Sequence, residues 1–233
     1  MTIDPLSDRK IIDSWHKNAR PWTIAVRQGQ ISSRKLVTDR AIVDAVVERC
    51  PKNVLDLGCG EGWLARALSA KGIEVLGVDV VPELIEQARS AVGGRFELLS
   101  YEDIAAGKLN KKFDTVVSNF ALLGNESVVS LFAKMRSLLN KNGYFIVQTI
   151  HPLIGCGEHR YEDGWRSGSW DGFSSDFEDP APWYFRTIGS WVRLYSEHGF
   201  ILDEIREPLH PETGKPTSAI FIGKLTASAL LSS

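Results

Sequence analysis

Cysteine is scarce in this sequence: Cys50, Cys59 and Cys156 are the three in 233 residues. They form neither a disulfide framework nor a CxxC metal pair, so reduced thiols and no metal centre are expected. Charge of one sign is lacking too. Lys+Arg number 27 against 29 Asp+Glu, a net charge of -2, which excludes a strongly basic nucleic-acid clamp and an acidic tail. No uncharged apolar run approaches the roughly 18 to 20 residues that span a bilayer. The first thirty residues carry Asp4, Asp8, Arg9, Lys10 and Asp13 with no apolar stretch among them, so no signal peptide is expected. These absences point to a cytoplasmic protein with no membrane partner.

What is present is ordinary globular usage, 43% hydrophobic and 24% charged, with one oddity. Seven of the 22 aromatic residues are Trp, and they are unevenly placed. Trp15 and Trp22 lie near the start, Trp63 stands alone, and Trp165, Trp170, Trp183 and Trp191 crowd one late stretch.

Periodicity organises the middle of the chain. Short apolar runs at 53–57, 74–78, 95–99, 113–118 and 143–149 read as strands. Between several of them, 61–70, 82–91 and 126–139 place apolar residues at helical spacing. Such alternation predicts βαβ units and a parallel sheet covered on both faces. Upstream, 39–50 predicts a helix capped by Thr38 or Asp39, and 8–19 and 21–27 predict two short helices separated by Pro21. Residues 151–185 have no clear period. A helix over 187–198 and a strand pair at 200–205 and 218–222 close the chain.

The strongest local signal is Asp56-Leu57-Gly58-Cys59-Gly60-Glu61-Gly62. A buried strand runs into a turn where Gly58 and Gly60 permit close approach of a ligand to bare backbone, and Gly62 lets the next helix start against the strand. Cys59 reads as a small buried filler. Asp79 ends the second strand, where a carboxylate can accept both hydroxyls of a ribose. Asp56 sits inside the first strand, a costly place for a charge unless it meets a cation or several donors. Asp103 follows the third strand and can accept from an exocyclic amine; a helix cap is its other reading, with Glu102 competing for the amine.

These motifs occur in order with Tyr101-Glu102-Asp103-Ile104, Phe113-Asp114-Thr115-Val116-Val117-Ser118-Asn119 and Leu138-Leu139-Asn140-Lys141-Asn142-Gly143-Tyr144. Together they resemble the class I S-adenosylmethionine-dependent methyltransferases over about residues 54–148. The resemblance implies an α/β fold: a Rossmann-like, seven-stranded, mostly parallel sheet with helices on both faces and an antiparallel last strand. It implies one domain, with an N-terminal helical lid (1–37), a cofactor-binding core (38–150), a substrate-cap insert (151–185) and a C-terminal helix and strand pair (186–233). S-adenosylmethionine is the implied cofactor and S-adenosylhomocysteine the product. Asp56, Gly58, Cys59, Gly60 and Gly62 would face the methionine moiety, Asp79 and Val80 the ribose side, and Glu102, Asp103 and Ile104 the adenine. Asn119 and Phe120 would lie near the methionine amine, with Leu122 beside Phe120 at the transfer mouth. The Asn-Pro-Pro-Tyr tetrad of adenine-N6 and glutamine methyltransferases is absent, and Asn119-Phe120-Ala121-Leu122 stands there instead.

Outside the core, the N-terminal segment resembles the lid of small-molecule methyltransferases. Arg34 would clamp the cofactor carboxylate and Trp22 cover the sulfonium side, with Trp15 next to the acceptor; a packed helical cap with solvated charges is the alternative. Tyr161, Trp165, Trp170, Phe173, Trp183, Tyr184 and Phe185 are expected to wall the acceptor. Seven acids against two arginines in 151–185 would then disfavour an anionic acceptor. His151, after the fifth strand, and His210, in the last loop, are candidate bases; a structural histidine bonded to a loop carbonyl is the other reading of His151. The expected reaction is methyl transfer to an N or O nucleophile of a small organic acceptor. An RNA or other macromolecule methyltransferase and a nicotinamide-dependent oxidoreductase are the alternatives. Oligomeric state is not legible.

Overall fold

The computed structural model describes residues 4–226. Its centre is a seven-stranded sheet in the order β3-β2-β1-β4-β5-β9-β8. The strands are β1 (Asn53–Leu57), β2 (Glu74–Asp79), β3 (Arg95–Leu98), β4 (Phe113–Asn119), β5 (Leu139–Ile150), β8 (Phe200–Arg206) and β9 (Ser218–Leu225). The first five pair in parallel, and β9 runs antiparallel to both β5 and β8. This is the mostly parallel sheet with an antiparallel finish that the sequence predicts. β1 buries four successive residues after Asn53, as a strand covered on both faces must.

Helices α3 (Trp63–Ser69) and α4 (Pro82–Arg89) follow β1 and β2, α5 (Tyr101–Ala105) follows β3, and α6 (Glu126–Leu138) follows β4. Two cores result. One lies under α6 and α8 (Ile188–Glu197), built around Phe113, Phe132, Phe145, Tyr195 and Phe221. The other lies under α2 (Asp39–Val47), α3 and α4, around Ile42, Leu64, Leu68, Ile85 and Phe96. Fully burying each such side chain contributes roughly 1.5–3 kcal/mol.

Three expectations are corrected. The two N-terminal helices are one, α1 (Asp8–Arg27), with Pro21 inside it. The proline removes one helical donor, but tertiary bonds on both sides of it hold the helix together. Asp8 accepts from the backbone N–H groups of Asn125 and Ser127 at the start of α6, and Arg27 binds Glu61. The N-cap at Thr38 or Asp39 is also absent. Thr38 has helical dihedrals because a π-helical turn (Arg34–Thr38) runs directly into α2. Finally, 151–185 contains order of its own: α7 (Pro152–Gly155) and a two-stranded ribbon, β6 (Gly164–Arg166) with β7 (Trp183–Phe185). Among the described residues no helix is long and apolar enough to cross a membrane.

Candidate cofactor and acceptor site

A cavity of about 330 Å3 lies at the carboxyl ends of β1, β2 and β4, where ligands bind in open α/β sheets. The glycine loop makes its floor. Gly58, Gly60 and Gly62 all have positive φ, at +68°, +56° and +85°. A Cβ on Gly58 would stand 2.7 Å from the Tyr101 hydroxyl and collide with Ala121, so only bare backbone fits there. Gly62 does not reach the cavity. Its missing side chain makes room for Phe96, whose ring a Cβ would meet at 2.7 Å.

Asp79 lines the cavity from the end of β2. One carboxylate oxygen accepts from the Gly60 N–H and the other from the Val81 N–H, each at 2.9 Å. Burial raises its pKa and these backbone donors oppose the rise. Each oxygen keeps a lone pair for a further donor such as a ribose hydroxyl. Asp56 lies beneath the loop. It is buried, its Oδ2 has no partner, and burial, then the Asp79 charge, pushes its pKa up to about 7. Cys59 is buried at the loop, which drives its thiol pKa well up, in keeping with an inert filler.

Arg34 comes from the π turn, a distortion frequent at functional sites. It is buried, its guanidinium lies 4.6 Å from the Trp63 ring centroid, and its Nε donates to Asp39 at 2.9 Å. Its Nη2 has no partner. Asp56, expected to face a methionine moiety, does not line the cavity; the loop cradle and the unpartnered Arg34 Nη2, which do, fit the carboxylate of such a ligand. Asn119 and Phe120 line the cavity from the end of β4, with Val80 and Glu102. Asn119 Oδ1 accepts from Gln148 at 2.7 Å. Phe120 holds a φ of +54°, strained for a bulky residue, and its N–H donates to the Gln148 carbonyl at 2.8 Å.

Helix α1 roofs the cavity with Ile11, Ile12, Trp15 and Trp22. Trp15 packs edge-on against Trp22 at 5.1 Å and against Trp170 at 5.9 Å. The insert grips the outside of this helix. Lys10 and Lys17 both pair with Asp179, Ser14 donates to the Asp179 carbonyl, and Asn18 exchanges hydrogen bonds with the Glu178 backbone.

Several expected site residues stand elsewhere. Asp103 forms a capping box with Ser100 and pairs with Lys108 at 2.5 Å, so its carboxylate starts α5, and it does not line the cavity. Ile104 and Leu122 belong to the hydrophobic core. His151 is buried, with Nε2 2.7 Å from Glu207 and Nδ1 accepting from the Leu153 N–H; it caps α7 and has no face on the cavity. His210 lies in the β8–β9 loop, accepting from the Glu212 N–H, also off the cavity. Tyr161, Trp165, Trp183 and Tyr184 pack within the β6–β7 ribbon and its surroundings. Trp170 supports Trp15 and Phe173 from behind. Of the insert's aromatics, Phe173 lines the cavity. None of the seven insert acids lines it, so the insert's charge does not bear on the acceptor.

Sequence reasoning missed Glu61, Tyr101, Gln148 and Asp8. Glu61 is buried against Arg27 at 2.9 Å and Arg66 at 2.6 Å, tying α1 to the glycine loop. A polar Gln inside Ile146-Val147-Gln148-Thr149 was a legible signal; Asp8, far away in sequence, gave none.

Residues 54–143 match a family model described as a methyltransferase domain. The chain is 31% identical over 143 residues to a ubiquinone biosynthesis O-methyltransferase of Xanthomonas axonopodis pv. citri, covering 52% of this chain and 59% of that relative. It thus spans little more than half of that enzyme. Residues 54–143 are thus similar to a methyltransferase domain. An uncharacterised protein of Haemophilus influenzae is 25% identical over 211 residues, covering 79% of this chain and 81% of that one. Among solved structures, an S-adenosylmethionine-dependent methyltransferase from Mesorhizobium loti superposes with a TM-score of 0.58 at 21% identity, covering 78% and 97% of the two chains. The 1,6-didemethyltoxoflavin-N1-methyltransferase of Burkholderia thailandensis, with S-adenosylhomocysteine bound, reaches 0.64 at 17% identity, covering 97% and 94%. The latter likeness is one of fold and takes in nearly the whole chain.

Proposed function

We propose that this domain transfers a methyl group from S-adenosylmethionine to an N or O nucleophile of a small organic acceptor. The observation that carries the reading is the roof: α1, locked to the glycine loop at Glu61 and to α6 at Asp8, closes the strand ends into a bounded cavity rather than an open groove. The net charge of -2 also leaves no basic footprint for phosphate contacts. Two relatives of the fold act, by their names, on a ubiquinone precursor oxygen and on a toxoflavin nitrogen, which is the range of chemistry proposed here.

When bound, S-adenosylmethionine supplies a sulfonium methyl whose carbon–sulfur bond breaks toward sulfur as the acceptor's lone pair makes the new bond. The protein's part is orientation and exclusion of water. Aligned near-attack geometry can supply roughly 7–11 kcal/mol of a barrier, so a shaped, closed site is the main device. Asp79, the loop amides, Arg34 and Asn119 hold the cofactor. Phe120, Trp15, Leu123 and Phe173 bound the space left beside it. With His151 and His210 off the cavity, no imidazole base is assigned.

The test is a panel of amines, phenols, carboxylates and a bulk tRNA sample incubated with methyl-labelled cofactor. Label in a small acceptor is expected. Label confined to tRNA would overturn the reading.

A further inference from the structure

The ends of the cavity differ in charge. Arg34 is the one cation among the described residues that line it, and it sits by Trp22 and Trp63. Asp8 lines the opposite end, beyond Ile11, Ile12 and Trp15. The fourteen residues of α1 between Asp8 and Trp22 span about 21 Å, so the two charges do not meet. Asp79, Glu61 and Glu102 also line the cavity, but they belong to the end of β2, the glycine loop and the first turn of α5, on the cofactor side.

The Asp8 end is built. Its two oxygens accept from Asn125 N–H at 2.7 Å and Ser127 N–H at 2.8 Å, which fixes the carboxylate at the positive end of α6. Gly124 stands directly beside it; a Cβ there would lie 2.5 Å from Asp8 Oδ1 and collide with Ser127 Oγ. Gly124 has no positive φ, so space and not backbone freedom requires glycine. Arg186 holds the same turn from behind through the Gly124 and Asn125 carbonyls and does not line the cavity. Two backbone donors leave the carboxylate with acceptor capacity to spare, and the neighbouring walls, Ile11, Ile12, Leu123 and Phe173, are apolar.

We propose that Asp8 selects the acceptor, admitting a largely apolar molecule that presents an N–H or O–H donor and bears no negative charge. The inference rests on the methyl-transfer reading above. Asp8 is a recognition residue and takes no part in bond making. An anionic acceptor would bring its charge to a carboxylate with no cation lining that end, and like charges repel.

The test uses the whole chain saturated with S-adenosylhomocysteine, followed by titration of benzylamine, benzyl alcohol and benzoate by ligand-observed NMR. Benzylamine and benzyl alcohol are expected to bind about tenfold or more tightly than benzoate, as loss of a charge-assisted hydrogen bond implies. Asp8→Asn should reduce the benzylamine-to-benzoate ratio by about tenfold. The wild-type ranking requires no variant to fold. Benzoate binding as well as benzylamine, no ring probe binding, or an unchanged ratio in the variant would each overturn the proposal. Failure of S-adenosylhomocysteine to bind in the first step would instead remove the methyl-transfer reading.

Discussion

Replacing Asp56 by Asn separates the stability of the glycine loop from its function. The wild-type carboxyl is buried with one oxygen unpartnered, and its pKa rises from 3.8 to about 7, from burial first and the Asp79 charge second. Because the folded value lies above the unfolded one, folding takes up a proton between about pH 4 and pH 7. The stability contributed by this group therefore falls as the pH rises through that window. A difference of about 3 units at about 1.4 kcal/mol each gives a penalty of about 4 kcal/mol above pH 7, against about 1 to 2 kcal/mol at pH 5. Asn does not titrate, and whatever its burial costs is the same at both pH values. Urea unfolding without ligand should therefore show the variant gaining about 3 kcal/mol on the wild type between pH 5 and pH 8.5. The same variant should bind S-adenosylmethionine more weakly, since it lacks the carboxylate beneath the glycine loop. Parallel pH dependence in the two proteins would refute this account of Asp56.

Other substitutions test other parts of the site. Arg34→Ala should weaken S-adenosylhomocysteine binding about tenfold or more by calorimetry, the loss expected for a hydrogen bond to a charged group; unchanged affinity would remove Arg34 from the site. Gly58→Ala should abolish that binding and lower Tm, because φ is positive and the new Cβ collides with Ala121. Gly72→Ala is its control, since φ is +83° but nothing lies within 4 Å, and it should lower Tm while leaving affinity intact. His151→Gln should cost about 1–3 kcal/mol of stability, the range for disturbing a buried hydrogen-bonded group, with cofactor affinity unchanged; a tenfold affinity loss would return His151 to the site.

The sheet was legible because buried parallel strands read as near-continuous apolar runs; 75–78 does so plainly, and 54–57 does so but for Asp56. The glycine loop and Asp79 were legible because a bare turn followed by a strand-end carboxylate has few other uses. The roof was harder. Pro21 marks a break by local rules, yet Asp8, Asn18 and Arg27 hold α1 straight through it by contacts with residues 34 to 160 positions away, and no local pattern encodes such contacts. Ser100-x-x-Asp103 was a readable capping box that competed with an adenine role, and the cap prevailed. Six of the seven tryptophans lie outside residues 54–148, but their directions were not readable: Trp191 is buried in the hydrophobic core, and Trp15 and Trp22 face the cavity. Without periodicity in 151–185, nothing indicated that Phe173 would face inward while Trp165 and Trp183 packed into a ribbon.

The most direct test of the account is a pair of calorimetric titrations of the full chain, with S-adenosylhomocysteine and with NADH. One equivalent of S-adenosylhomocysteine is predicted to bind, with that heat lost in Gly58→Ala and no heat from NADH. Saturable binding of NADH with none of S-adenosylhomocysteine would contradict the assignment of the cavity.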